Sequence, residues 1–514
     1  MTGAPPPVAT GSTPDAGPAP ELRRSARSGA VGLAGAAASG AFGFLLAVVI
    51  TRGFGTAGAG ALFTAIGLLT VAGAVCCLGA DTGLVWALPR RGVRPGGDAA
   101  RLLPVALVPP LLAAGALALG GILAADRLAP VLLDGAGPDG VRLLRLAFAA
   151  VPLVVATTIL LAAVRAVRPI AAYVGVQFLL LPVGRPLLVA AAALVGAGTV
   201  AALAGWALPL VAAVLAGAAL VRGPLGVGTG TPLRPARADW STFWRFALPR
   251  AASAVIDSGG MWFGVLLTAA LAGPAEAGVF GAVGRYVLAG QLALHGLRVA
   301  VAPQLSRLLG AGLRDRAGAV HRQTTTWAVL LSWPVYLLLA AFAPGFLLLF
   351  GPGFTAGAAA LAVLSAAMLV NVGLGNVQTL LLMGGHSGRH LAATALGLAT
   401  TGLLGVLLVP AHGALGAAIG WAAGIVVENV VAAVAAVPVL GRFPVDAAVT
   451  GAAVGVAAAV GAAALVGGLV AGRGLAGLAV ALGLLAAGAG GALTRPAVRR
   501  RMAGAVATLR GGTT

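Results

Sequence analysis

The sequence predicts an all-α, polytopic membrane protein of about 14 transmembrane helices, arranged as two parallel six-helix lobes plus a C-terminal helix pair. Three observations carry that expectation. Hydrophobic residues fill 60% of the 514 positions and charged residues 9%, with a mean hydropathy of +1.02, more apolar surface than a water-soluble globule of this size can bury. Apolar runs of the length a bilayer requires, about 20 residues, recur roughly every 30 residues. Arginines concentrate in every second connection between those runs, the pattern that orients a membrane protein.

Taken in order, residues 1–22 are rich in Pro, Gly, Ala and Thr with almost no charge, and a segment of that composition is expected to be a disordered tail. Arg23, Arg24 and Arg27 then precede a run over 29–50, which is too long for the apolar core of a cleaved signal and reads as a retained first span. Further runs follow near 59–80, 102–125, 143–164, 170–194 and 200–221. Together with the first they define an N-lobe over 23–221. A cytoplasmic basic linker over 222–245 leads to a C-lobe over 246–437, with runs near 246–271, 278–301, 326–350, 356–382, 391–409 and 414–437. Two more runs, 447–470 and 474–493, Gly- and Ala-rich with no charged residue inside them, make a pair over 438–493, and residues 494–514 form a basic cytoplasmic tail.

The formal charge is +20, and the sequence contains no lysine, so its 33 Lys-plus-Arg positions are all arginine. Alternate connections hold 24 of these arginines, the opposite connections hold 5 (Arg52, Arg127, Arg142, Arg145 and Arg473), and 4 lie inside spans. This split places both termini in the cytoplasm. It also rules against nucleic acid as the reason for the basic balance, because the charge is distributed as orientation signals. Cys76 and Cys77 are adjacent in an apolar run, which excludes a disulfide framework and leaves a metal site without its other ligands, so no metal is expected. No P-loop, nucleophile elbow or zinc spacing is present, and the soluble segments are short, which argues against an enzyme.

One internal repeat stands out. Thr51-RGFGTAGAGAL-Phe63 and Thr268-AALAGPAEAGV-Phe280 each read as a helix end, a short small-residue turn, then Gly, one or two apolar residues and Phe, 217 positions apart. A separation of six spans preserves orientation and implies parallel lobes.

Charges inside spans are expensive and should face water or a partner. Arg185, Arg250, Arg285 and Arg298 are of this kind, as are the acids Asp81, Asp257 and Glu428. Gln291, His295 and Arg298 follow at i, i+4 and i+7, one polar face of a helix.

The repeat, the WRFALPR start of the seventh span, GPAEAGVFGAVGRYV, VAPQLSRLL with Pro303, and FLLLFGPGF at 346–354 together resemble the polysaccharide-biosynthesis flippases of the multidrug/oligosaccharidyl-lipid/polysaccharide (MOP) superfamily, relatives of the lipid II flippases. The resemblance covers roughly residues 25 to 440. It implies two six-helix bundles around a central cavity that carry undecaprenyl-pyrophosphate-linked oligosaccharide across the bacterial cytoplasmic membrane by alternating access. It also implies a polyprenyl-pyrophosphate-linked glycan and membrane lipids as partners, with a glycan polymerase and glycosyltransferases as neighbours. In lipid II flippases, arginines of the first helix help hold the pyrophosphate. Here no arginine stands between Gly29 and Ile50, which favours a relative handling another repeat unit.

On that resemblance the expected pyrophosphate and cavity residues are Arg250, Arg285, Arg298 and Arg185, with Gln291 and His295 beside them, because guanidinium offers bidentate donors to phosphate. Asp257, Glu428 and Asp81 are the candidates for ion coupling. No cofactor is expected, and an H+ or Na+ gradient or the membrane potential is the candidate energy source. The alternatives are a lipid II flippase, a small-molecule antiporter of the multidrug-extrusion (MATE) branch with a less cationic cavity, and a membrane glycan polymerase or ligase. The last would need a large exterior loop that 125–142 does not supply.

Overall fold

The computed structural model describes residues 19–92, 98–135, 137–227 and 234–494, and the regular structure in them is helical. Residues 1–18 and 495–514, which hold most of the two expected tails, lie outside the described residues, as do the side chains of Asp257 and His295.

Among the described residues ten continuous helices are long and apolar enough to cross a membrane. Three of these carry a glycine in a non-helical conformation where two rods meet: Gly55 (φ 65°, ψ −170°), Gly273 (φ 84°, ψ 172°) and Gly413 (φ 52°, ψ −129°). Dividing the three at those glycines, and adding the shorter apolar helix Leu475–Gly491, gives fourteen spans. They are span 1 (19–54), span 2 (56–76, continued by Ala80–Arg90), span 3 (Leu102–Leu132), span 4 (Gly137–Val167), span 5 (Ile170–Leu194), span 6 (Thr199–Leu225) and span 7 (237–272). After these come span 8 (274–290, continued by Leu292–Gly310), span 9 (Arg314–Ala341), span 10 (Ala358–Leu374, continued by Val377–Met383), span 11 (387–412), span 12 (414–440), span 13 (Ala447–Ala471) and span 14 (Leu475–Thr494).

The first two of those glycines explain the sequence repeat. Both occupy a backbone region essentially closed to residues with a Cβ, so each turn needs glycine where the chain doubles back. The structural register is one residue away from that of the phenylalanines: Gly55 corresponds to Gly273 and Gly60 to Gly278, each 218 positions apart (273 less 55, 278 less 60). The turn conformation sets the register of the two lobes. The phenylalanines only fill space beside it.

Among the described residues, spans 1 and 2 pack extensively against spans 7 and 8, and this is where the lobes join. At the arginine-poor face the two repeats cross through their glycines. A Cβ on Gly60 would fall on the carbonyl of Pro274, and one on Gly278 on the carbonyl of Thr56, with 2.9 Å from each to the backbone nitrogen of the other glycine. Helix backbones approach this closely in membranes only through such small residues. Phe44 of span 1 extends the junction, its ring 5.2 Å from Tyr286 and 5.4 Å from Phe350.

Four of the five arginines that depart from the orientation rule are held in place by structure. Arg52 donates to the carbonyls of Leu349 (2.8 Å) and Leu348 (2.7 Å), and Arg473 to those of Ala341 and Ala340. Arg142 pairs with Asp139 and Arg145 with Asp126. Carbonyls at helix ends are unsatisfied and carry partial negative charge, so these arginines tie down the arginine-poor face.

Three boundaries differ from the sequence expectation: residues 19–22, expected in the disordered tail, already belong to the helix of span 1. Span 9 covers Arg314–Ala341, not 326–350. The apolar run beyond it forms a short helix, Ala343–Leu347, and a 3₁₀ turn, Pro352–Gly357, separated by Gly351 at φ 125°. Its phenylalanines 342, 350 and 354 are buried in protein, and hydropathy does not distinguish burial in protein from burial in lipid. In the linker, 237–245 is already the first part of span 7.

Candidate functional site

The arginines inside the spans have different surroundings. Arg285 is half-buried at the lobe junction, its guanidinium 5.3 Å from the ring centre of Phe63 (span 2) and 5.1 Å from that of Trp262 (span 7). Close helix packing produces the sandwich, because Gly281 leaves room for Phe63 and Gly67 for Trp262. Contact with a ring face spends none of a guanidinium's in-plane N–H donors. The Arg285 Nε is buried without a hydrogen-bond partner, and no acid pairs with it among the described residues.

Arg185 lies 3.9 Å over the Trp206 ring within the N-lobe, its Nε likewise buried and unpartnered. The structure places no contact between Arg185 and Arg285. Arg298 belongs to a polar chain inside the C-lobe. Its Nε donates to Asn376 Oδ1 and its Nη2 to Gln378 Oε1, both at 3.4 Å. Gln378 Nε2 in turn donates to Glu428 Oε1 at 3.0 Å, and Thr394 Oγ1 donates to the same oxygen at 3.0 Å. One carboxamide therefore links a cation to a carboxylate without a direct ion pair. Span 10 makes this possible by breaking at Gly375 (φ 72°) and Asn376, and broken helices of this sort expose polar groups at membrane depth. Gln291, seven positions before Arg298, donates to Met368 of the same span 10, so these two members of the polar stripe both contact span 10 inside the C-lobe. Glu428 also borders a small cavity of about 90 Å³ with Thr394, Thr401 and Trp421.

Arg250 is exposed near the arginine-rich end, 4.8 Å over the Phe246 ring. Phe246 stacks on Trp86 of span 2 at 4.2 Å and 12°, and Arg90 stands 4.5 Å over Trp86. Two i,i+4 Arg–aromatic pairs, one from each lobe, thus form a four-layer stack across the junction. Beside it Arg91 pairs with buried Asp239 at 2.6 Å, and Asp239 also accepts the Ala236 N–H at 2.8 Å. The i,i+4 spacing of Trp86 with Arg90 and of Phe246 with Arg250 is visible in the sequence; that the two pairs meet is not.

This latch closes the arginine-rich end of the junction. Asp239→Ala removes the acceptor of both Arg91 and the Ala236 N–H and is expected to cost about 1–3 kcal/mol, read as a lower melting temperature of the purified chain in detergent.

No family model and no curated protein matches the chain. Solved structures do. The lipid II flippase MurJ in an inward closed conformation superimposes with a TM-score of 0.65 at 11% identity, covering 87% of this chain and 96% of that one. A multidrug resistance MATE family transporter of the MOP superfamily, inward-facing, gives 0.63 at 18% over 76% and 92%. A MOP superfamily transporter from Pyrococcus furiosus gives 0.54 at 16% over 80% and 93%. With its fourteen spans, paired lobes and glycine turns, the chain is a polytopic membrane protein with the fold of the MOP superfamily transporters.

Proposed function

We propose that the protein is a flippase for a polyprenyl-pyrophosphate-linked oligosaccharide, carrying it across the bacterial cytoplasmic membrane by alternating access of the two lobes, with both termini in the cytoplasm. Arg285 is the observation that carries this reading: a guanidinium at the lobe junction against two aromatic rings, with a buried donor that has no partner and no acid paired with it among the described residues. In a membrane such a group needs an anion, and a diphosphate matches its in-plane donors. A cationic substrate of the multidrug kind would be repelled by the same group.

An apolar groove of about 530 Å³ between spans 8, 9 and 14, lined by Tyr286, Val335, Leu339, Phe346, Leu478 and Leu482, suits the lipid tail. Glu428, linked to Arg298 through Gln378, is the preferred coupling acid: proton or cation binding there would change the charge that Arg298 senses.

The test is glycan export in cells whose only copy carries Ala at Arg250, Arg285 and Arg298, with membrane abundance measured alongside. Lost export at normal abundance is expected. Normal export at normal abundance would refute a cationic site.

A further inference from the structure

The N-lobe contains a second polar space that the arginine sites do not use. A cavity of about 320 Å³ lies between spans 2, 4 and 5, lined by Asp81 and Thr82, by Thr158 and Arg165, and by Tyr173 and Gln177. Counting along the helices at 1.5 Å per residue, Asp81 and Gln177 lie about 10–15 Å from the arginine-rich ends of their spans. The chain is shaped locally to make this space. Span 2 is interrupted at Leu78 (φ 51°) and Gly79 (φ 75°), so Asp81 falls in the first turn of a new helix. Span 5 carries a π-helical turn over Gly175–Leu180, a distortion frequent at functional sites, and Gln177 sits on it. Tyr173 is fixed edge-on to Phe178 at 5.7 Å, with the Arg165 guanidinium 5.9 Å over its ring. Asp81 and Arg165 line one cavity without forming an ion pair.

The lining chemistry narrows the ligand. A metal cation requires convergent oxygens close around it, whereas this space is at the size of small-molecule pockets, about 300–1,000 Å³, and includes a guanidinium that would repel it. An anion would meet Asp81. A neutral polyol suits every group present: the carboxylate accepts from two hydroxyls, the guanidinium donates to others, Gln177 does both, and the Tyr173 ring covers an apolar C–H face.

We propose that this N-lobe cavity is a saccharide subsite, holding a sugar ring of the glycan near the arginine-rich face, an inference that rests on the lipid-linked glycan reading. The probes are free glucose, galactose and N-acetylglucosamine, titrated at millimolar concentration into the purified full-length chain in detergent, with melting temperature and calorimetry as readouts. At least one sugar is expected to stabilise the wild type saturably, and Asp81→Asn should bind it about tenfold more weakly. Sugar-free melting temperatures report whether each variant is folded; if Asp81→Asn does not fold, Thr82→Val replaces it, with the same direction of effect. Stabilisation by sodium chloride over choline chloride that depends on Asp81, or by an amino acid, with no sugar response would overturn the proposal, as would no response to any probe. Inorganic pyrophosphate forms a separate arm. Loss of its binding in Arg285→Ala tests the diphosphate reading, so either result can fail while the other holds.

Discussion

Replacing Arg285 by alanine is expected to weaken binding of a pyrophosphate-linked substrate by roughly ten- to a hundredfold, because a charge-assisted contact to phosphate contributes about 1.5–3 kcal/mol. Arg285→Lys separates charge from geometry. Lysine keeps the positive charge but has neither the flat faces that Phe63 and Trp262 grip nor the forked donors, so it should restore only part of the affinity. Arg185→Ala is expected to do less, since Arg185 lies against Trp206 within one lobe. Export in cells, normalised to protein in the membrane, and binding of inorganic pyrophosphate to the purified chain are the measurements. Equal binding by wild type, Arg285→Lys and Arg285→Ala would show that the sandwich is a packing device.

The second large effect concerns the glycine crossing. Gly60→Ala places a methyl group on the carbonyl of Pro274, and Gly278→Ala one on that of Thr56. Both obstacles are backbone, which cannot rotate aside, so the lobes must separate at this end. Overpacking of this kind costs about 1–3 kcal/mol or more. Gly115→Ala in span 3, where nothing lies within 4 Å of the new Cβ, is the control and should be neutral or slightly stabilising, as Gly to Ala in a helix usually is. Melting temperatures of the three variants in detergent give the comparison. A Gly60→Ala protein as stable as Gly115→Ala would mean the crossing is not under compression.

Composition, run length and arginine placement were enough to specify a fourteen-span helical membrane protein, because the cost of burying charge and unsatisfied backbone in lipid acts on each segment separately. The glycine repeat was legible for a similar reason: a turn that only glycine can make is a local property of the chain. The boundaries of span 9 were not legible, since Phe342 and Phe350 in the apolar run over 326–350 are buried in protein, and hydropathy scores that burial like burial in lipid. Single residues could also mark which arginines stand inside spans, but their surroundings are non-local. Only tertiary packing decided that Arg285 is gripped between rings from both lobes, that Arg298 reaches Glu428 through Gln378, and that Arg250 joins a stack at the arginine-rich end. Those contacts join residues from tens to hundreds of positions apart, and their identities follow from how glycine-lined helices approach one another, which no single segment encodes.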